Sequence, residues 1–294
     1  MNTFYSVLIS GLTVGALYAI ASIGLSLVWG ALGVLNMAHG ALLTLGGYVA
    51  YAAITGLGLP TGIGVLAAVL AGAVAGGLIY LLVVRNVLRQ GMADFEANVM
   101  IATVGIAIAL ENGILLVFGG QPLKQPVTVD GSMTLGPLVL PWQSLIIMVA
   151  AVAAMAVIAT ALARTRMGRA IRATAQNRDA ARLMGVAVDR VYLSVLMISG
   201  AVAGGCGLLL SSMVQLSPSL GNDPMLKAFI MCVVAGLGTL PGAVLVSFGL
   251  ALLEAWVQYA FGARWGFPML LCAVVVVLIW RPGGLMGRVQ VRRM

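Results

Sequence analysis

From Met1 to Val84 the chain contains no Lys, Arg, Asp or Glu, and His39 is its only histidine. This feature constrains the fold more than any other. An ordinary soluble domain carries about a quarter of its residues as charged side chains, most of them on its surface. A segment of this length without any charge must therefore present its surface to something other than water. The rest of the chain agrees, with 62% hydrophobic residues, 8% charged residues and a mean hydropathy of +1.10. The reading is a polytopic membrane protein. In lipid a backbone must satisfy its own hydrogen bonds, so apolar runs of this length are predicted to be helices and the fold class all-α.

A crossing helix needs about 20 apolar residues. The candidate runs are 4–30, 38–57, 60–84, 97–118, 142–163, 191–213, 226–240, 242–261 and 266–281, giving about eight to nine crossings in a single transmembrane domain over 1–294. The run at 226 is short and broken by "GLGTLPG". The start lacks a basic segment and a small-residue cleavage site, so the first run is expected to be retained as a span.

Sidedness follows from the cations. Arg85 and Arg89 lie in one connection, seven arginines lie in 164–190, and Arg281, Arg288, Arg292 and Arg293 lie near the C-terminus; these are 13 of the 16 Lys and Arg residues. Excess Lys and Arg mark cytoplasmic connections, which places these three inside and the charge-balanced connection 119–141 outside. Nine crossings then put the N-terminus outside. The same flanking pattern accounts for the net charge of +8 without nucleic acid. Gly11/Gly15, Gly72/Gly76, Gly200/Gly204 and Gly238/Gly242 repeat the GxxxG spacing that lets helices approach closely in lipid. Cys206, Cys232 and Cys272 lie in apolar runs without metal-ligand spacing and read as small hydrophobes.

Polar groups inside apolar runs are costly, so they mark function or interhelical hydrogen bonds. "ALGVLNMAHGALLTLGGY" interrupts its run with Asn36, His39 and Gly40, and a discontinuous helix there would have to line a cavity or be enclosed by protein. Glu111 and Glu254 are the carboxylates within well-defined spans. These five residues are the candidates for a translocation pathway. Asp223 and Lys227 flank "NDPML" at an outer turn and read as a solvated pair.

The lysines, Lys124 and Lys227, each follow Leu, so no GxxxxGK[ST] loop exists to hold a nucleotide. No catalytic triad, metal set or cofactor site is spaced in the chain, and an enzyme is a poor reading. A secondary carrier, a channel and the membrane subunit of a multi-subunit pump remain. The segment "RTRMGRAIRATAQNRDAARLMGVAVDR" at 164–190 separates them. After Gly168 it reads as one helix ended by Gly185, with Ile171, Ala175, Arg178 and Arg182 on one face and Ala170, Ala173, Asn177, Ala181 and Met184 on the other. Without a broad apolar stripe, it suits docking on a soluble partner better than lying on lipid.

"GALYAIASIGLSLVWGALGVLNMAHGALLTLGGYVAY", the 164–190 segment, "MLKAFIMCVVAGLGTLPGAVLVSFGLALLEA" and "RPGGLMG" together resemble the permease subunits of branched-chain amino-acid ABC importers, in the same order over nearly the whole chain. The resemblance implies a type II-like helical permease in a bacterial inner membrane. Implied partners are a homologous second permease, two cytoplasmic subunits that bind ATP, and a periplasmic substrate-binding protein. It also implies that 164–190 is similar to an EAA-type coupling segment, with Gly168, Arg172, Ala175, Asn177, Arg178, Ala181, Arg182 and Gly185 meeting the ATPase. Relatives serve small neutral amino acids, urea, short amides or aromatic acids. Many members carry an acid after the H-G pair, where this chain has Ala41.

Overall fold

The computed structural model describes residues 2–90, 94–129, 131–135 and 138–287. Arg288, Arg292 and Arg293 of the predicted basic C-terminus lie outside the described residues. Helix α1 (Asn2–Leu32) runs through the middle of the protein. At 1.5 Å per residue its 31 residues reach roughly 46 Å. It packs along α11 (Leu240–Phe261), α9 (Val188–Ser211), α6 (Trp142–Arg164) and α10 (Asn222–Ala235). Because α1 is apolar on every side, it can be enclosed by neighbours on every side.

Helix α2 (His39–Tyr51) follows a buried irregular segment and continues into a π-helical turn at Ala52–Gly56. Helix α3 (Thr61–Ile79) passes through a second π turn, Tyr80–Val84, into α4 (Arg85–Gln90), and α5 (Phe95–Phe118) returns. A hairpin of β1 (Ser132–Leu135) and β2 (Leu138–Pro141) interrupts the connection to α6, a small addition to a helical fold. Two short helices, α7 (Arg166–Gln176) and α8 (Arg178–Leu183), precede α9, and α12 (Gly266–Trp280) ends the bundle.

All nine apolar runs are helical, and seven helices among the described residues are long and apolar enough to cross a membrane. The other two runs form α2 and α10, with 13 and 14 residues of regular helix. Helix α10 reaches about 20 Å, short of a hydrocarbon core of about 30 Å, while α2 continues for 5 more residues through its π turn but carries His39, Thr44 and two tyrosines along it. The expected eight to nine crossings thus compare with seven helices that qualify as spans by length and composition and two further apolar helices.

The connections gather at two ends. At one, a hydrophobic cluster unites Leu32 and Val34 with Val84, Phe95, Ile171 and Val188, bringing together the end of α1, the α3–α4 joint and the 164–190 segment. Leu285 and Met286 donate backbone hydrogen bonds to the Val234 and Ala235 carbonyls, which fastens the C-terminal segment to the end of α10. At the opposite end, paired backbone hydrogen bonds between Leu123 and Leu216 join the connections 119–141 and 212–221. Arg85, Arg89, the seven arginines of 164–190 and Arg281 thus share one end, and α1 starts at the other.

Gly72 and Gly76 of α3 face Gly200 and Leu196 of α9 so closely that a Cβ on either glycine would overlap the opposing backbone. Gly11 and Gly15 meet Leu252 and Phe248 of α11. These GxxxG repeats pack the chain against itself. Cys206 and Cys232 are buried, whereas Cys272 is exposed on α12, which corrects its reading as a buried hydrophobe.

Candidate functional site

The α1–α2 break lies inside the protein. Helix α1 ends at Leu32, Gly33 takes φ +72°, and the chain is irregular until His39. The Asn36 carboxamide oxygen accepts from the Ala38 backbone N–H at 3.1 Å, an Asx turn that leads the chain into α2. The Met37 N–H is satisfied by Thr103 Oγ1 of α5 at 3.1 Å. A buried backbone needs such substitutes for helical hydrogen bonds. Asn36 Nδ2 has no hydrogen-bond partner among the described residues, and the His39 ring is fully buried beside the Ala21 backbone of α1. The ring sits where a Cβ on Gly24 of α1 would lie, 2.6 Å from His39 Cε1, so this position must lack a side chain.

Two helix N-termini meet directly beyond the break. The Gly221 N–H donates to Thr44 Oγ1 of α2 at 2.9 Å, and Thr44 donates to the Gly40 carbonyl at 3.3 Å. A Cβ on Gly40 would lie 2.8 Å from the Gly221 carbonyl oxygen. The starts of α2 and α10 are therefore in backbone contact within the bundle, an arrangement that directs the positive ends of both helix dipoles to one region. Ala41 is buried beside them, in a position where a carboxylate would lack water.

Of the two predicted carboxylates, Glu254 is in a polar cluster and Glu111 is not. Glu254 Oε1 accepts from Lys227 Nζ of α10 at 2.9 Å and from Gln258 Nε2 at 3.0 Å, while Oε2 is buried without a partner among the described residues. Lys227 also pairs with Asp223 at 3.1 Å and lies 5.5 Å from the centre of the Tyr18 ring. The reading of Asp223 and Lys227 as a solvated pair is corrected, since the lysine side chain is 11% exposed and bridges two helices. Glu111 lies half-buried on α5, apart from this cluster. The sequence did not point to Lys227 or Tyr18 as members of the site. As one of two lysines in the chain and inside an apolar run, Lys227 offered a signal. Thr44 and Thr103 offered none, since a hydroxyl in a spanning helix ordinarily bonds to its own backbone.

The 164–190 segment is two helices rather than one, a correction with a local cause. Asn177 takes an extended backbone, φ −156° and ψ 107°, and its side chain caps α8 by accepting from Ala180 N–H at 2.9 Å. An Asn at this position competes with continued helix and wins. Thr165 caps α7 in the same way, accepting from Gly168 N–H at 3.0 Å. Gly185 takes φ +83° after α8, as predicted for a helix end. Gly168 is buried against the Leu162 backbone, and Arg172 donates to the Leu162 carbonyl, so α7 is bolted to the end of α6.

The predicted docking residues divide. Arg172, Ala175, Asn177, Arg182 and Gly185 are exposed, while Arg178 is half-buried and hydrogen-bonds to Tyr192 of α9. Gly168 and Ala181 face the permease itself, Ala181 being 4% exposed. The outward apolar surface is instead Leu183 and Met184, 88% and 84% exposed at the tip of α8.

The comparisons with known proteins agree with this architecture. The permease protein BraD of the high-affinity branched-chain amino acid transport system of Pseudomonas aeruginosa is 28% identical, over 97% of this chain and 96% of its own. LivH, the corresponding permease of Escherichia coli K12, is also 28% identical, over 99% of this chain and 97% of its own. A chain of PsaBC from Streptococcus pneumoniae, solved in complex with Fab, shares the fold with a TM-score of 0.50 and 14% identity, covering 92% of this chain and 89% of that one. The family model described as "Branched-chain amino acid transport system / permease component" matches residues 7–279. A match over that span, on a bundle of seven candidate spans and two further apolar helices, means that the chain belongs to the permease components of branched-chain amino acid transport systems, as a multi-pass ABC importer permease.

Proposed function

We propose that the chain moves branched-chain amino acids across a bacterial inner membrane, paired with a homologous second permease. Two separate ATP-binding subunits dock at its arginine-rich, cytoplasmic end, and a periplasmic binding protein delivers solute at the other. The observation that carries this reading is the α7–α8 unit. It is capped at both helix starts, fixed to α6 through Gly168 and Arg172, and still presents Leu183 and Met184 to water. Exposed apolar side chains on a rigid support fit a protein partner. The chain has no nucleotide-binding loop of its own, so the energy must arrive through such a contact.

The pathway in this reading passes the meeting point of α2 and α10. Helices that stop inside the bundle leave polar ends where a solute can be met, which full spans do not. Asn36, His39 and Gly40 border that junction, and Glu254 lies on the outer side of it. Glu111 joins the pathway on the face of α5 that the second permease would cover. A neutral imidazole suffices at His39, since ATP rather than a proton gradient supplies the energy.

The test is uptake of radiolabelled L-leucine in vesicles carrying the assembled complex. Uptake is expected with internal ATP and binding protein. Uptake driven by a proton gradient without ATP would overturn the proposal in favour of a secondary carrier. Uptake of urea or a short amide in place of leucine would overturn the solute class.

A further inference from the structure

We propose that the permease itself holds a transit site for a zwitterionic aliphatic amino acid, in the cavity between α1, the end of α9 and the start of α10. This deepens the import reading above and rests on it. The cavity measures about 360 Å³, within the range of about 300–1,000 Å³ usual for small-molecule sites. Its walls are apolar, with Leu17, Leu210, Met213, Val214 and Leu220, and its polar lining comes from Asp223 and Tyr18. Behind Tyr18 lies a second cavity of about 220 Å³, lined by Lys227, Glu254 and Gln258. Val14 and Tyr18 border both.

The chemistry of the two cavities matches the two halves of one solute. A branched aliphatic side chain fits the apolar walls, and its burial there is favourable in proportion to its area. The polar end meets two carboxylates, Asp223 and Glu254, and one ammonium, Lys227, a local excess of one negative charge. A solute ammonium balances that excess. Glu254 Oε2, buried without a donor among the described residues, is an acceptor left over in the same cluster. The solute carboxylate displaces the exposed Asp223 from Lys227, which keeps Glu254, and Asp223 turns to the solute ammonium; the start of α10 lies nearby, where the helix dipole also favours an anion. An unpaired amide or a plain organic anion offers one of these ends and lacks the other, so the site selects zwitterions.

The test reads the cavity directly. In a Cys272→Ser background, which removes the exposed native thiol, Val214→Cys is placed in the full-length chain, in nanodiscs with its complex. Its reaction with a membrane-impermeant maleimide is timed with L-leucine, leucinamide or 4-methylpentanoate. L-Leucine is expected to slow labelling by roughly tenfold, and Asp223→Asn to remove most of that protection, as loss of one charge-assisted hydrogen bond would. Leucinamide and 4-methylpentanoate should protect far less. Ser219→Cys, on the exposed outer connection, should label at one rate throughout. No protection by L-leucine, or equal protection by 4-methylpentanoate, overturns the site; the second result is what an apolar groove for lipid would give. ATP-driven leucine uptake with an unprotected Val214→Cys sinks the site and leaves the import reading standing. Protection without uptake does the reverse.

Discussion

Gly221→Ala tests whether the meeting of α2 and α10 holds the bundle together. The new Cβ would overlap the Gly40 carbonyl and lie 2.9 Å from Thr44 Oγ1, while ordinary contact begins at 3.4 Å. Relief by moving α10 also opens the Gly221 N–H to Thr44 Oγ1 hydrogen bond. Overpacking costs about 1–3 kcal/mol, and the lost hydrogen bond adds about 0.5–1.5 kcal/mol. The expected loss is therefore about 2–4 kcal/mol. Gly40→Ala tests the same contact from the other side: its Cβ would meet the Gly221 carbonyl at 2.8 Å and Met225 Cβ at 3.1 Å. That clash is with backbone and is less severe than the one at Gly221, so Gly40→Ala should also melt below the reference, by less than Gly221→Ala. Gly249→Ala is the reference, with nothing within 4 Å of its Cβ. Melting of the three variants is followed side by side in nanodiscs, where Gly221→Ala should fall below the reference by about 4 °C or more. Leucine uptake should fall with it, because the helix ends have moved. If Gly221→Ala melts with the reference, or if Gly40→Ala is the more damaging of the pair, the junction is not the packed contact described.

Leu183→Ser with Met184→Ser should leave melting nearly unchanged, within about 0.5 kcal/mol for exposed positions, yet reduce copurification of the ATPase subunits; undiminished copurification would sink the docking role of α8. Ala181→Trp should instead lower the melting point of the permease itself, since Ala181 is packed against its own bundle. Lys227→Met strands the buried Glu254 carboxylate and should cost about 3–5 kcal/mol, part of which returns on adding Glu254→Gln; a double variant as unstable as the single would show that the lysine acts by packing. In intact cells an impermeant reagent should label Ser219→Cys and spare Met184→Cys, and the reverse would invert the sidedness.

The sequence alone determined the environment and the fold class, and it set an expectation for the orientation. A stretch of 84 residues without a formal charge has no stable place in water, and the gathering of 13 of the 16 Lys and Arg residues in three connections favours one side for them. These properties depend on composition and position along the chain, which need no knowledge of neighbours. The turn at Gly185 was legible for the same reason, since caps are local chemistry, whereas α7 begins at Arg166, ahead of the expected Gly168, because Thr165 caps it. The break at Asn177 was equally local, but a small-residue pattern running through it hid the cap.

Tertiary structure decided the rest. Whether an apolar run spans or stops partway depends on what meets its end, and nothing within α10 announces that Gly221 abuts Gly40. The GxxxG repeats could have served a partner or the chain itself, and only the close approach of α3 and α9 shows which. Ala181 and Met184 lie on the same side of one predicted helix, yet the first is buried and the second exposed, because α8 stops at Leu183 and Met184, at its C-cap, has left the helix. The pairing of Lys227 with Glu254 joins residues 27 apart on separate helices. Charge attraction acts through space, and the chain separation of two groups does not say how near the fold will bring them.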